Sequence, residues 1–363
     1  MPTAQNVKRS PKYLYIKETL AQQIRSGELA PNAKLVPERE LARHFSVSYA
    51  TVTRALGELQ VAGLIIRQWG KGTFVAEVPR SLVNVAVTFK EPIYSDNYLL
   101  PLVQGIQTKS AVKGWRIQMF PLQNAEMFSG GQHNLLSFLL REGHVGGVIA
   151  LDPSPPEDFA RLRTMGVPAV SVLNRYSGSG ASSIMDDPQQ GAIELVQRLS
   201  QLGHSRIRFL MGPTFGHSAR LLRSSGWMIE TLFSALREAG LPCQRDAVFH
   251  APDFSWSMCE QTVRRWLCER PRPTAIVCAT DVLAMHVTYL ASEFGIAVPE
   301  ELSVIGWGDA LTPSKLTSVH VPFRAIGEAS ARLLEQLVTC GTAVDEVLPT
   351  KLVVRETMGP ARD

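Results

Sequence analysis

The stretch from Pro37 to Val75 constrains the fold more than any other part of the chain. It reads PERELARHFSVSYATVTRALGELQVAGLIIRQWGKGTFV, which is two short helical patterns followed by two apolar strand patterns around a Gly-Lys-Gly tip. Ser48 occupies an N-cap position before the second helical pattern, and Gly63 follows that pattern, where glycine ends a helix without strain. Apolar residues recur on one face of each predicted helix: Leu41, Ala42, Phe45, Val52, Ala55, Leu56 and Leu59. The stretch therefore predicts a helix-turn-helix followed by a β-hairpin.

The charge distribution agrees with a nucleic-acid partner for this part of the chain. The second helix of such a motif fits the major groove, and a glycine-rich hairpin tip lets the backbone approach phosphates closely. Residues 1–80 contain 12 Lys/Arg and 6 Asp/Glu, a balance of +6, so a chain with net charge +4 has −2 in its remainder. A basic head on a nearly neutral body is typical of a DNA reader with a separate regulatory domain.

From Val83 onward the pattern changes to buried strands that alternate with helices. The run 83–89 is the first buried-strand pattern, and the alternation restarts after about residue 186. This order predicts an α/β fold with two lobes, each a doubly wound parallel sheet, preceded by a small α+β domain. Ligands of such sheets lie beyond the carboxyl ends of the strands, so we expect a binding cleft there.

These patterns predict the following domain boundaries. Residues 1–12 are polar, basic and expected to be disordered, 13–78 form the small domain, and 79–83 form a linker. The two-lobed domain extends over 84–358, with a first lobe of about 84–185 and 310–341 and a second lobe of about 186–307 and 342–358.

Several classes of protein are disfavoured by what the sequence lacks. It contains no run of about 18 apolar residues and no apolar signal core, so we expect a cytoplasmic protein without a membrane partner. The five cysteines show no CxxC spacing, which favours reduced thiols and no metal site. We find no nucleophile elbow, no HExxH and no carboxylate pair in a catalytic context, so neither an enzyme nor a cofactor is expected.

Residues 14–78 resemble the winged helix-turn-helix of the gluconate-repressor (GntR) class of bacterial regulators. The shared blocks are PERELA, the VS turn, TVTRAL, GLI and GKGTFV, in the class's order and spacing. There are departures: Val36-Pro37 stands where the class has Pro-Ser, and Tyr49 and Thr53 stand where arginines are common. The resemblance implies a set of DNA contacts: Arg39, Ser48, Tyr49, Thr51, Thr53 and Arg54 in the helices, with Lys71 and Gly72 in the wing.

Residues 84–354 are similar to the core of the lactose/galactose-repressor (LacI/GalR) class, which itself resembles periplasmic sugar-binding proteins. The segments that carry this similarity include SIMDDPQQGAIELVQRLSQLGHSRIRFLMGP, RSSGW and PTAIVCATDVLAMHVTYLASEFGIAVPEELSVIGWGDA. A GntR-type head on this core is the arrangement of the arabinose-repressor class. The similarity implies two lobes that close around a small effector.

The same similarity implies which residues contact that effector. Arg223 precedes a Gly-Trp pair and suits vicinal hydroxyls because its guanidinium is a planar fork of donors. The implied set is Tyr98, Asn174, Arg223, Trp256, Thr280, Asp281, Trp307 and Asp309. Four positions depart from the class: Asn174 stands where aspartate is frequent, Thr280 stands where asparagine is usual, Gly308 lacks the carboxylate that accepts hydrogen bonds from ligand hydroxyls, and Val321 replaces a polar residue.

These expectations lead to a ligand-responsive transcriptional regulator, a repressor that binds operator DNA as a homodimer. Its effector is expected to be a sugar or sugar derivative. A regulator with a non-sugar effector, or with none, stays open because of Gly308 and Val321. An enzyme with a DNA-binding head, like the aminotransferase-fused members of the GntR class, would need a cofactor-binding lysine in a fold of different pattern.

Overall fold

The structure is a computed structural model of the chain. It describes residues 12–26, 28–30, 32–61, 64–68, 71–75, 84–91, 98–123, 127–128, 134–151, 154–176, 178–212, 221–242, 245–251, 256–310 and 314–362. Residues 1–11, the whole predicted linker 79–83 and the helix end at Gly63 lie outside these residues. Lys12, the last residue of the segment 1–12 predicted to be disordered, begins the first helix instead. The described chain divides into two compact units: the first contains residues 12–75 together with Arg161–Val167, and the second contains both large sheets.

The first unit is a winged helix-turn-helix, as the sequence predicts. Its elements are α1 (Lys12–Ser26), α2 (Glu38–His44), α3 (Tyr49–Val61), β1 (Ile65–Gln68) and β2 (Gly72–Val75). The three helices enclose one apolar core, and every apolar position predicted for α2 and α3 contributes to it. The core fixes which face of α3 is left for solvent.

Local signals in the sequence explain where these helices begin. Ser48 caps α3, because its hydroxyl accepts a hydrogen bond from the Thr51 amide at 3.2 Å. Pro37 precedes α2 without a side-chain cap, as its sequence predicts. The wing gains a third short segment: Leu35 N–H donates to the Thr73 carbonyl at 2.9 Å, and Val75 N–H donates to the Ala33 carbonyl at 2.8 Å.

From residue 84 onward strands and helices alternate. The elements are β3 (Asn84–Glu91), α4 (Leu99–Val112), β4 (Arg116–Gln123), α5 (Leu135–Arg141), β5 (Gly147–Ala150), α6 (Pro156–Thr164), β6 (Ala169–Val172), β7 (Asn174–Tyr176), β8 (Ser182–Asp187), α7 (Gln189–Gln201), β9 (Ile207–Met211), β10 (Leu221–Arg223), α8 (Ser224–Glu238), β11 (Val248–His250), α9 (Trp256–Cys268), β12 (Ala275–Cys278), α10 (Asp281–Glu293), β13 (Ser303–Gly308), β14 (Thr317–His320), α11 (Phe323–Cys340), β15 (Asp345–Pro349) and β16 (Lys351–Val353). None of the described helices is long and apolar enough to cross a membrane.

The strands form two six-stranded sheets. The first has the order β15-β8-β6-β5-β3-β4 with parallel pairs throughout, and the second has the order β11-β9-β12-β13-β14-β16. All pairs of the second sheet are parallel except β14 with β16. The carboxyl ends of β12 and β13 therefore lie side by side, which brings the segments that follow them together.

The structure corrects two boundaries drawn from the sequence. Strand β14 pairs with β13, so 317–320 belongs to the second sheet and not to the first lobe with 310–341. Strand β15 pairs with β8, so 345–349 belongs to the first sheet and not to the second lobe with 342–358. Strand β15 pairs with residues 162 positions earlier in the chain and β14 with residues 12 positions earlier, and in neither case does the local apolar pattern encode the partner.

The segment that carries Arg223 is a strand and not part of the helix that follows it. Residues Leu221–Arg223 form β10, and the helix α8 begins only at Ser224. Strand β10 pairs antiparallel with β7 in a separate two-stranded sheet. Because of this pairing, the segment with Arg223 runs beside the segment with Asn174.

Candidate DNA-binding and effector sites

Four of the eight residues predicted to contact DNA lie on α3: Tyr49, Thr51, Thr53 and Arg54. Arg39, Ser48, Tyr49, Arg54 and Lys71 are exposed, with Tyr49 at 55%. Thr51 and Thr53 are half-buried, and Gly72 is exposed at the wing. A tyrosine that projects from the first turn of a recognition helix offers a flat apolar surface and a hydroxyl to a groove.

Glu38 links α2, α3 and the wing, and sequence reasoning missed it. Its carboxylate accepts a hydrogen bond from the Thr53 hydroxyl at 2.7 Å through one oxygen and from the Arg67 guanidinium at 2.9 Å through the other. The Thr53 hydroxyl is therefore engaged inside the unit. The signal for this contact was the acidic residue at the start of α2, but its partners lie 15 and 29 residues further along the chain.

The wing tip has a second cation beside Lys71. The Lys34 side chain lies against Gly72, where a Cβ would come within 2.9 Å of its Cε. The Lys34 ammonium is also 5.9 Å from the centroid of the Phe74 ring. Gly72, with φ +118°, thus leaves room for an exposed lysine, which is consistent with a wing that contacts phosphates.

On the second unit, strand pairing brings Asn174 and Arg223 together. They are direct partners in the register of β7 and β10. Asn174 is buried, and its amide Nδ2 donates to the Val172 carbonyl at 3.0 Å. The preceding Leu173 has φ +59°, so the chain turns sharply between β6 and β7.

Thr280 and Asp281 connect the end of β12 to neighbouring segments. Thr280 caps α10, because its hydroxyl oxygen accepts from the Leu283 amide at 3.3 Å. Asp281 is buried and accepts from the Ser318 hydroxyl at 2.5 Å and the Ala310 amide at 2.9 Å. Burial raises the pKa of Asp281, and these two hydrogen bonds only partly offset the increase.

Asp309 is also paired within the chain. Its Oδ1 lies 2.7 Å from an Arg355 guanidinium nitrogen, and its Oδ2 lies 3.2 Å from His320 Nδ1. Burial pushes the pKa of Asp309 up, but the hydrogen bonds from His320 and Arg355 and the charge of Arg355 bring it below its usual value. The Asp309 carboxylate is therefore ionised and neutralised by its neighbours.

The structure explains why Gly308 departs from the class pattern. Its φ of +127° lies in a region that side-chain-bearing residues rarely adopt. A Cβ there would also lie 3.5 Å from the Asp281 carboxylate and 3.6 Å from the Phe323 ring. The Phe323 ring in turn lies 5.8 Å from the Tyr98 ring, centroid to centroid. Phe323, which sequence reasoning missed, thus connects Tyr98 with the end of β13.

The two predicted tryptophans occupy different environments. Trp307 is 5% exposed within the main apolar core, and its buried indole Nε1 has no hydrogen-bond partner among the described residues. Trp256 begins α9 and stacks on the His286 ring, with centroids 5.0 Å apart and planes 11° apart. His286 therefore covers one face of Trp256.

The sequence-predicted effector residues thus fall into three groups. Tyr98, Thr280, Asp281, Trp307 and Asp309 gather around the ends of β12 and β13, Asn174 pairs with Arg223, and Trp256 packs at the start of α9. The missed members of the first group are Phe323, Ser318, His320 and Arg355. Aspartates at the end of a strand indicate that hydrogen-bond or ion-pair partners are present. The sequence does not indicate which distant residues these partners are.

Comparison with known proteins defines the class of both parts. The family model of bacterial regulatory proteins of the gntR family matches residues 12–75, and that of the periplasmic binding protein-like domain matches residues 196–358. The chain therefore joins a gntR-type DNA-binding domain to a periplasmic-binding-protein-like domain, as the sequence predicts.

Individual relatives have the same arrangement or the same core. The chain is 28% identical to the arabinose metabolism transcriptional repressor of Geobacillus stearothermophilus, over 91% of this chain and 92% of that protein. It is 27% identical to the catabolite control protein A of Priestia megaterium, over 88% and 98%. A solved complex described as transcriptional regulator CelR with cellobiose is 25% identical and covers 85% of this chain and 90% of its own, with TM-score 0.64.

Proposed function

We propose that the chain is a transcriptional repressor that binds operator DNA as a homodimer and responds to a small molecule bound beyond the strand ends of the second unit. One observation carries this proposal: a gntR-type winged helix-turn-helix with a basic, exposed recognition surface is joined to a periplasmic-binding-protein-like domain. Relatives that span nine-tenths of the chain are named as repressors. Because a repressor must reach the DNA, we expect the protein in the cytoplasm. We also expect that it has no enzymatic activity.

The DNA half of the proposal is tested by operator selection from random duplexes. The selected site is expected to be a palindrome, because a twofold protein reads two half-sites. Tyr49→Ala should bring the affinities for selected and random DNA closer together by about 10-fold, since one good base contact contributes about 1–3 kcal/mol. Tyr15→Ala is the matched control, because Tyr15 is an exposed tyrosine of α1. An unchanged affinity ratio in the Tyr49 variant would remove that residue from the reading surface.

We base the dimer part of the proposal on exposed apolar side chains of the helices α9 and α10. Met285 and Tyr289 lie one turn apart on α10 and are 54% and 66% exposed, and Met258 on α9 is 46% exposed. Side chains of this size at the surface of a twofold protein are best covered by a second copy. Met285→Asp should shift the protein towards monomer in sedimentation, whereas Val354→Asp, at another exposed apolar residue, should not. A dimer that tolerates Met285→Asp would place the interface elsewhere.

The effector half is tested by thermal unfolding with sugars and nucleosides. The cellobiose complex of a relative supports a sugar-like compound. Arg223→Ala should abolish the shift from any compound that binds, because guanidinium supplies several donors to one ligand. A hit that survives this change places the pocket away from β10. A regulator with a non-sugar effector remains the second candidate, favoured by Gly308 and by the buried, apolar Val321.

A further inference from the structure

Two side-chain contacts join the helices α1 and α3 at the surface of the first unit. The guanidinium carbon of Arg54 lies 3.8 Å from the centroid of the Tyr13 ring. Four residues further along each helix, the Lys17 ammonium lies 3.4 Å from the Glu58 carboxylate. Because four residues are about one turn of a helix, the two contacts follow one another along one side of each helix and set one register between α1 and α3.

The apolar core of the unit holds the Tyr13 ring in this place. Ile16 of α1 is buried in one cluster with Val52 and Ala55 of α3. Tyr13 lies about one turn before Ile16, is half-buried, and packs against the same cluster. Packing against the core therefore fixes the ring, and Arg54 lies on a ring that is already fixed.

This contact holds Arg54 but does not use its hydrogen-bond donors. A carbon this close to the ring centroid lies over the face of the ring, since the ring hydrogens stop an approach in the ring plane further out. The Arg54 Nε lies 3.9 Å from Glu58, which is too long for a hydrogen bond. No described residue accepts a hydrogen bond from the terminal nitrogens of Arg54, whose side chain is 64% exposed.

The direction of Arg54 suits a phosphate better than a base. Arg54 follows Tyr49, the first residue of α3, by five positions, so its side chain leaves the helix about 140° around the axis from that of Tyr49. The first residues of a recognition helix contact base edges, and cations beside them contact the DNA backbone. A planar guanidinium binds a phosphate through two parallel hydrogen bonds.

We propose that Tyr13 is a positioning residue of the DNA interface: its ring holds the Arg54 guanidinium so that the terminal N–H groups donate to a backbone phosphate. This inference rests on the function proposed above and adds a residue of α1 to an interface assigned to the helix-turn-helix and the wing. A long side chain that is held before binding loses less conformational entropy when DNA binds. Tyr13 therefore strengthens binding to every duplex without reading its sequence.

The test measures the affinity of the full chain for the selected operator and for random DNA over a series of salt concentrations. Arg54→Ala should weaken both affinities about 10-fold and lower the slope of log affinity against log salt by about 1. Tyr13→Leu keeps an apolar side chain on the core but removes the ring face, so it should weaken both affinities about 3-fold. The ratio of the two affinities should stay unchanged, because phosphate contacts carry no sequence information.

The double variant decides whether Tyr13 acts through Arg54. In the Arg54→Ala background, Tyr13→Leu should cause no further loss of DNA affinity, because no guanidinium is left to hold. Tyr13→Phe keeps the ring face and should bind DNA like the parent. Tyr15→Leu, at an exposed tyrosine of the same helix, is the matched control and should also leave the affinity unchanged. Equal losses from Tyr13→Leu in both backgrounds overturn the inference, as does an unchanged affinity in Tyr13→Leu alone.

Urea unfolding shows whether each variant is folded, and Arg54→Lys tests the same contact without a change in the core. Lysine keeps the positive charge at this exposed position but loses the flat contact with the ring. Arg54→Lys should weaken both affinities about 3-fold with an unchanged salt slope. A parent-like affinity of Arg54→Lys overturns the inference even if Tyr13→Leu does not fold.

The parent protein separates this inference from the proposed function. A parent that binds no duplex overturns the proposed function and the inference together. A parent that binds its operator, with variants that behave as the contrary outcomes above describe, overturns the inference alone and leaves the DNA-binding regulator in place.

Discussion

The side chains predicted to read DNA lie mostly on the surface of the first unit. The described side chains predicted to bind an effector are buried or half-buried, and most are bonded within the chain: Tyr98, Asn174, Trp256, Thr280, Asp281, Trp307 and Asp309. Tyr49 is more than half exposed, while Asp281 is 4% exposed and accepts two hydrogen bonds. A domain that binds DNA presents its polar groups on a rigid surface. A receptor for a small molecule must hold its groups inside, where each unpaired group costs free energy.

The largest effect on stability is expected for a buried residue of the second unit, Asp281. Asp281→Ala leaves the Ser318 hydroxyl and the Ala310 amide without their acceptor, so the free energy of unfolding should fall by about 3 kcal/mol. Urea unfolding measures the change. Glu300→Ala removes an exposed carboxylate and should stay within about 0.5 kcal/mol. Equal effects of the two variants would contradict a structural role for Asp281.

Asp186 differs from Asp309, because this buried carboxylate lacks the cations that neutralise Asp309. Burial raises its pKa to about 7, a hydrogen bond from its own backbone opposes this, and the charge of Asp187 adds to it. The folded state therefore holds a proton that the unfolded state releases above its ordinary pKa of 3.8. Asp186 therefore contributes to the free energy of unfolding at low pH, and this contribution is lost as the pH rises towards 7.

Asp186→Asn should accordingly stabilise the protein by about 2 kcal/mol at pH 8 and by much less near pH 4. Thermal unfolding from pH 4 to pH 8 measures the difference between variant and parent. The exposed Asp246→Asn serves as the reference and should show no such trend. A difference that does not grow with pH would mean that Asp186 is ionised in the fold.

A smaller effect is expected at Thr53, a predicted DNA contact whose hydroxyl is engaged inside the first unit. Thr53→Val removes the hydroxyl that donates to Glu38 and should cost about 1 kcal/mol. Combined with Glu38→Gln, the two changes should be less than additive, because they remove the same contact. Additive losses in unfolding experiments would show that Thr53 and Glu38 act separately.

The smallest effect on stability is expected for the exposed Tyr49 of the first unit. Tyr49→Ala should change the free energy of unfolding by no more than about 0.5 kcal/mol, because the ring is mostly in solvent. Its effect on operator preference should then be a pure binding effect. A loss of more than 1 kcal/mol would place Tyr49 in the fold of α3 and not only at its reading surface.

Much of the first unit and the order of elements in the second were predictable from sequence. The apolar residues of α2 and α3, the Ser48 cap and the Thr280 cap depend on neighbours within a few positions, so local periodicity reports them. The strands β7 and β10 were not predicted, because each is three residues long and has no periodic pattern. Their pairing opposes Asn174 and Arg223, so the least predictable sheet carries two candidate effector residues.

The sequence by itself determined the two kinds of domain, the positions of the main helices and strands, and the absence of a side chain at Gly308. Only the tertiary structure decided what that glycine adjoins and how the acidic residues are paired. Asp281 meets Ser318 37 positions away, and Asp309 meets Arg355 after the chain has passed through β14, α11 and two further strands. Such contacts depend on which strands lie side by side, and strand order follows from packing over the whole sheet and not from local sequence.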